Sequence, residues 1–404
     1  MAVVYNDQIT PALTGLKKPL EKIYAFWFAG MSCDGCSIAV TGATNPPLEK
    51  LLLGQIPGLP TLVLHHPVLS VDVGSDFTKH YRSAAEGKLD APYVIILEGS
   101  VPDETKSGEG YWSAMGAGGT EEADAGSAET DSVGIVDGVK QPIRTMDWLA
   151  KLAPGAAASI AIGTCATWGG IPAAIGNPTG AMSMMDFLGK DYRSALGLPV
   201  VNVPGCSPVG DNFMETVAAI LLFIQGIGPL PDFDDLGRPA WLFKETVHRN
   251  CNRAGYYEEG VFAKKYGDKE CLVEIGCWGP VVQCNITSRG AINNMGGCMN
   301  TGGVCIGCTM PGFPDKFSPF YQAPPGGEVS STVSRITGTG IRFLRAFSQR
   351  DRNREPRWDQ TGIIPSGWMA AAPKVSPADK FVHFFYEKMQ FHKAVKPGSR
   401  KERH

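Results

Sequence analysis

Five short apolar runs mark the first half of the chain, at 23–28 (IYAFWF), 61–66 (TLVLHH), 93–98 (YVIILE), 158–163 (ASIAIG) and 199–203 (PVVNV). They are rich in β-branched and aromatic residues and largely lack polar alternation, the pattern of strands buried on both faces of a parallel sheet. Longer segments of mixed polarity lie between them, and those at about 36–54, 76–86, 143–153 and 211–225 read as helices. The last begins with Asp211, a residue suited to capping a helix N-terminus. Strand and helix in alternation predict an α/β fold, a doubly wound parallel sheet of flavodoxin-like type.

Two stretches break this pattern. Residues 102–135 carry eight acids, one lysine and many Gly, Ser and Ala, which predicts an exposed loop insertion. After about residue 230 the alternation stops, and residues 248–330 are dense in Cys, Gly, Asn and Pro. That is a composition for loops wrapped around bound metal, which can stabilise a segment where regular structure does not. Residues 341–404 hold fourteen Lys and Arg against six Asp and Glu, with aromatics at helical spacing over 381–392. The expected organisation is a sheet domain over 1–230, a loop-rich metal-binding domain over 231–330 and a basic C-terminal extension over 331–404.

With 404 residues the chain has length for two or three domains at roughly 150 residues each. A hydrophobic content of 43% excludes disorder, and a formal net charge of -3 gives no global attraction to nucleic acid or to an acidic membrane surface. No run approaches the roughly 20 uninterrupted apolar residues of a membrane span. The opening residues show neither the apolar core of a secretory signal nor a twin-arginine pair, so a cytoplasmic location without a transmembrane anchor is expected.

The chemistry lies in eleven cysteines. Cytosolic thiols stay reduced and an odd number cannot all pair, so a disulfide framework is not expected. Cys33 and Cys36 follow the first predicted strand, Cys165 the fourth and Cys206 the fifth. All four fall just past the carboxyl ends of parallel strands, where open α/β sheets bind ligands. The other seven lie between Cys251 and Cys308. His248 and Cys251 form H-x2-C and, with Cys271 and Cys277, give one imidazole and three thiolates; Cys284, Cys298, Cys305 and Cys308 give four thiolates. Each of the three sets suits a 4Fe–4S cluster, and each would also accept zinc. Three structural zinc ions account poorly for a site in the ligand crevice of a sheet, whereas three iron–sulfur clusters make a path for electrons.

The motifs GMSCDGCS (30–37), LEGSVP (97–102), GTCATWGGIPAAIGNPTGA (163–181) and VNVPGCSP (201–208), with HRNC (248–251) and the C-x5-C of Cys271 and Cys277, resemble those of the small, electron-transferring subunit of NiFe hydrogenases. The resemblance spans roughly residues 20–320. It implies a proximal cluster on Cys33, Cys36, Cys165 and Cys206 that faces a nickel–iron centre in a separate large subunit. It also implies a distal cluster on His248, Cys251, Cys271 and Cys277, and a medial one on Cys284, Cys305 and Cys308. Dihydrogen would be split in the large subunit and electrons would leave through this chain to an external acceptor, so no catalytic residue is expected here. Glu98, at a strand end near the proximal site, is expected to support that site rather than to catalyse.

Departures from the family pattern refine these expectations. A medial 3Fe–4S cluster is usual, with a proline near the place of Cys298; a fourth thiolate there predicts a 4Fe–4S cluster of lower potential. The sequence CDGC puts Asp34 where a small hydroxylic residue is usual, which makes its carboxylate an alternative proximal ligand, against a solvated or hydrogen-bonding role. The family's usual export signal and membrane anchor are replaced by the acidic insertion and the basic extension. These features look most like the actinobacterial-type cytoplasmic uptake hydrogenases, associated with oxygen tolerance, and imply a higher oligomer of heterodimers. The competing readings are a stand-alone ferredoxin-like multi-cluster carrier, a quinone-reductase subunit that shares the sheet domain, and a zinc-stabilised interaction protein. The seven later cysteines argue against the quinone-reductase subunit.

Overall fold

The computed structural model describes residues 19–108, 110–117, 135–136, 139–140 and 142–322. The basic extension, the helix expected at 381–392 and much of the acidic insertion lie outside the described residues. Five parallel strands form the central sheet: β1 (Lys22–Ala29), β2 (Thr61–His65), β3 (Tyr93–Glu98), β4 (Ala158–Ile162) and β5 (Val201–Val203). Their spatial order is β2-β1-β3-β4-β5, the flavodoxin-like arrangement expected. Every residue of β3 and β4 is buried, which is why these strands read as unbroken apolar runs.

Helices cover both faces: α1 (Gly35–Thr41), α2 (Leu48–Leu52), α3 (Gly74–Ala85), α4 (Thr145–Leu152), α5 (Gly163–Trp168), α6 (Met184–Leu188) and α7 (Gly210–Ile224). Successive side chains of β1 point to opposite faces. Ile23, Ala25 and Trp27 join one apolar layer with Ile96, Ile160 and the α7 residues Phe213, Val217 and Ile220; Tyr24, Phe26 and Phe28 join the other with Tyr81, Trp148 and Leu149. Of the fifteen residues of α7 only Asp211 is not buried, so this helix runs through the interior of the molecule.

Two local expectations are corrected. The single helix expected over 36–54 is two, α1 and α2, because the segment between them contains Pro46 and Pro47, and proline lacks the N–H that a continuing helix needs. Pro47 stands instead at the N-cap of α2. Asp211 is not a helix cap: α7 starts after Val209, without a side-chain cap. The Asp211 carboxylate accepts the backbone N–H groups of Thr44 (2.6 Å) and Asn45 (2.9 Å), the donors that the broken helix leaves over.

The strand register sets up the site. Ala29 pairs with Glu98, Glu98 with Ile162, and Ile162 with Val203. Four strand ends therefore lie in one row, and the loops that bear Cys33, Cys36, Cys165 and Cys206 leave from it. Beyond α7 the chain builds a smaller core from Val247, Leu272, Val282, Met299, Val304, Phe313 and Phe317, in which Cys277, Cys284 and Cys305 are themselves buried. The longest helix among the described residues of that segment, Ala254–Glu258, has five residues. Among the described residues no helix is long and apolar enough to cross a membrane.

Candidate metal centres

Cys36 begins the buried side of the first site. Its thiol is pushed far above the ordinary range, chiefly by burial and further by the negative charge of Glu98 and of the Cys165, Cys33 and Cys206 thiolates. Burial pushes the Cys165 thiol up to about 11, with Cys206 and Cys33 adding to the rise. Cys33 and Cys206 are exposed at the rim, while Cys36 and Cys165 are half-buried. The structure thus brings the four together so closely that ionisation of one opposes ionisation of the next. All four can carry charge at neutral pH only if a cationic centre lies among them, which is what a thiolate-ligated metal group supplies. Two glycines keep the space clear. Gly163 has φ +81°, and a Cβ there would sit 2.3 Å from the Cys36 sulfur; Gly170 has φ +56°, and its Cβ would meet the Cys165 sulfur at 2.7 Å.

Glu98 is buried beneath this site. Its carboxylate accepts from the Cys36 N–H (3.0 Å), the Ser37 N–H (3.3 Å), the Trp27 indole (3.1 Å) and the Ser37 hydroxyl. The Ser37 oxygen also meets His66 Nε2 at 2.8 Å, and His66 Nδ1 accepts from the N–H groups of Val68 (3.0 Å) and Leu69 (3.2 Å). With Nδ1 an acceptor, the His66 proton sits on Nε2 and the donor sense runs from His66 through Ser37 to Glu98. Asp34 takes the left-handed conformation at φ 60° at the start of α1, is exposed, and makes no capping hydrogen bond. Its carboxylate is therefore uncommitted to the helix.

In the second set, Cys251, Cys271, Cys277 and His248 line one cavity, together with Arg253 and Met299. His248 is buried and packs edge-on against Tyr257 at 4.5 Å. Burial, with the Cys251 charge adding to it, pushes Cys271 up to about 12 and Cys277 up to about 11. The third set lies deeper. Burial pushes Cys284 up to about 12, and the Cys298 charge adds to it while Arg238 opposes it. Cys305 and Cys308 are raised well above their usual range, first by burial and then by neighbouring thiolates. Cys298 is exposed as a residue, yet its charge is felt at Cys284, Cys308 and Cys277, which places it between the second and third sets.

The sets touch one another. The backbone N–H of Cys206 faces the Cys308 thiol and offsets part of its rise. The Cys305 N–H donates to the Cys277 sulfur at 3.3 Å. Among the described residues no three His, Cys, Asp or Glu side chains close to the distance of a single ion. Zinc draws thiolate sulfurs to about 2.3 Å from the metal. Cysteine thiolates hold iron–sulfur clusters as well, so the chemistry of the donor sets fits such clusters. Sequence reasoning missed Thr164, Arg238, Ser37 and His66. Ser37 lies inside the GMSCDGCS motif and His66 ends a predicted strand, so both carried a signal; Arg238 sits in a Pro- and Gly-rich loop and carried none.

Two family models match the chain. One is the NADH ubiquinone oxidoreductase, 20 Kd subunit, over residues 33–220. The other is the C-terminal part of the NiFe/NiFeSe hydrogenase small subunit, over residues 243–321. The second match separates the chain from the quinone-reductase reading. The periplasmic NiFeSe hydrogenase small subunit of Desulfomicrobium baculatum is 32% identical over 322 residues, 79% of this chain and 92% of that protein. The hydrogenase-2 small chain of Escherichia coli K12 is 31% identical over 357 residues, 81% of this chain and 84% of that one. The solved actinobacterial-type NiFe-hydrogenase from Ralstonia eutropha H16 superposes with a TM-score of 0.72 at 47% identity, covering 85% of this chain and 96% of that chain. Likeness of this extent runs through the sheet and the cysteine-rich segment alike, and the chain belongs to the small subunits of NiFe hydrogenases.

Proposed function

We propose that this chain pairs with a nickel–iron large subunit and conducts the electrons of H2 oxidation away from it through three 4Fe–4S clusters in line. The proximal ligands are Cys33, Cys36, Cys165 and Cys206; the medial ligands are Cys284, Cys298, Cys305 and Cys308; the distal ligands are His248, Cys251, Cys271 and Cys277. The observation that carries this reading is the pair of contacts that joins the sets in series, Cys206 to Cys308 and Cys305 to Cys277. When bound, the clusters supply one-electron carriers whose potentials follow ligation, hydrogen bonding and exposure.

The residues of the chain supply position and surroundings. Glu98 pins the N–H groups of Cys36 and Ser37 and so fixes the turn that carries the proximal ligands. Val247, Leu272, Val273 and Met299 wall the distal cavity with apolar surface. The segments that follow the strand ends carry exposed apolar side chains, Ile38 (69%), Val68 (63%), Ile171 (58%) and Ile175 (81%), a surface suited to the large subunit. Asp34, exposed and free of capping, is the alternative proximal ligand. The division near residue 230 belongs to this reading and is supported by the separate apolar core around Val247 and Phe317. So do a higher oligomer of heterodimers and a cytoplasmic compartment, the latter supported by the greater likeness to the actinobacterial-type enzyme (47%) than to the periplasmic relative (32%).

Metal analysis of the complex purified from its native host tests the proposal. Nickel near one is expected, with roughly thirteen irons per heterodimer, twelve of them in three four-iron clusters. About one iron fewer marks a three-iron medial cluster and removes Cys298 from the ligands. Iron without nickel or a large partner favours a free carrier, and zinc without iron overturns the electron-transfer reading.

A further inference from the structure

We propose that Arg238 tunes the medial cluster, holding its reduction potential up by presenting a buried positive charge to the Cys284 side of the site. The inference rests on the medial ligand set proposed above. Arg238 is 2% exposed, an unusual position for a guanidinium, which is costly to bury unless it is paired and hydrogen-bonded. Its Nε bonds Asp234 Oδ2 at 2.7 Å, and its backbone N–H bonds Asp234 Oδ1 at 3.0 Å, so one turn fixes the start of the side chain. From there the fork reaches inward. One terminal nitrogen donates to the Gln283 side chain and the other approaches the Met310 sulfur at 3.9 Å, while the Phe243 ring lies 5.2 Å from the guanidinium carbon.

Gln283 directly precedes Cys284, and Met310 follows Cys308 by two residues. The Gln283 N–H also faces the Met310 sulfur at 3.5 Å. The cation therefore braces both arms of the medial loop from one side. Among the described residues the carboxylate bound to it is Asp234, whose side chain is 25% exposed against 3% for Arg238. Water screens the anion more than the cation, so the field toward the cluster is net positive. Reduction adds a negative charge, which this field stabilises; a fourth thiolate at Cys298 works in the opposite direction.

Redox titration of the whole heterodimer, followed by electron paramagnetic resonance with iron per chain measured alongside, tests the assignment. In Arg238→Gln the medial midpoint is expected to move to more negative potential while the proximal and distal midpoints stay in place. Arg238→Lys should keep most of the wild-type value. Asp234→Asn, which removes the compensating anion, should move the medial midpoint the other way and covers the case in which Arg238→Gln fails to assemble. A medial midpoint unmoved in whichever of these two variants assembles, or a shift common to all three clusters, overturns the tuning role. Absence of a medial signal in the wild-type complex overturns the cluster reading itself, a separate outcome.

Discussion

The Thr164 hydroxyl donates to the carbonyl oxygen of Cys308 at 2.5 Å, across 144 positions of sequence. The oxygen of that hydroxyl accepts the Gly205 N–H at 3.1 Å, and the Thr164 N–H returns to the Gly205 carbonyl at 3.0 Å. One buried side chain thus joins the loop before Cys206, the loop at Cys308 and the helix that carries Cys165. Trp168 adds a second tie from that helix, its indole donating to the Thr309 carbonyl at 3.2 Å.

Thr164→Val keeps the shape and removes the hydroxyl, leaving the Gly205 N–H and the Cys308 carbonyl short of a partner. A buried group left unpaired costs about 1–3 kcal/mol. The expected result is a lower melting temperature and weaker magnetic coupling between the reduced proximal cluster and the medial cluster, with the iron content retained. Thr164→Ser should restore both. Wild-type coupling in the valine variant would show that the proximal–medial junction does not depend on this bond.

Glu98→Gln tests the support beneath Cys36. The carboxylate accepts four hydrogen bonds, two at each oxygen. An amide must turn its NH2 toward one pair of donors, and bonds to a charged group are worth about 1.5–3 kcal/mol each. Loss of proximal iron and a drop of several degrees in melting temperature are expected. A variant with full iron and an unchanged melt would leave Glu98 without a role in holding the loop.

How much of this was readable from the chain depends on the range of the interaction. Strands β3 and β4 announce themselves because both of their faces are buried, so five or six consecutive apolar residues suffice. The gathering of Cys33, Cys36, Cys165 and Cys206 at one sheet edge follows from that, since each stands a few residues past a strand end. Turn-level detail was less legible. Asp211 looks like a cap in isolation, but the broken helix at Pro46 and Pro47 offers its carboxylate nearer donors at Thr44 and Asn45. Thr164 stands in the 163–181 motif beside Cys165, but its bond to Cys308 was not legible because the two are distant in sequence; Arg238 is equally far from Gln283 in this sense, and nothing near it marks it as different from any other arginine.

The cysteine-rich segment is latched to the sheet domain by Glu215 of α7 and Arg289, an ion pair with side chains 2% and 11% exposed. Arg289 also donates to Asn212 at 2.9 Å, Trp241 donates to Glu215 at 2.9 Å, and Asn212 and Asn285 exchange hydrogen bonds at 2.8 and 3.0 Å. Removing one partner of a buried pair costs about 3–5 kcal/mol, because the other charge stays behind. Glu215→Ala should therefore lower the melting temperature sharply. Glu215→Leu with Arg289→Leu should cost less than the sum of the two single changes, because neither stranded charge remains. Additive losses in that cycle would mean the two residues act independently.

His65 gives the molecule a pH dependence away from the clusters. It is 4% exposed at the end of β2, stacked between Tyr24 (5.9 Å) and Phe26 (5.5 Å), with His80 at 4.6 Å. Among the described residues neither of its ring nitrogens has a hydrogen-bond partner. Burial, with the neighbouring His80 adding to it, pulls its pKa down to about 4. Above the ordinary histidine value both folded and unfolded forms are neutral, and stability is unaffected. Between about 6.5 and 4 the unfolded chain takes up a proton that the native chain refuses, so stability falls as pH drops through this window and levels off below it. The full shift corresponds to about 3 kcal/mol; with solvent screening on the His80 side, about 1–2 kcal/mol is expected. Melting temperatures at pH 7 and pH 5 in wild type and His65→Phe check this. The phenylalanine variant should lose part of the decline at pH 5 while matching wild type at pH 7, and an equal decline in both would assign the pH dependence to other groups.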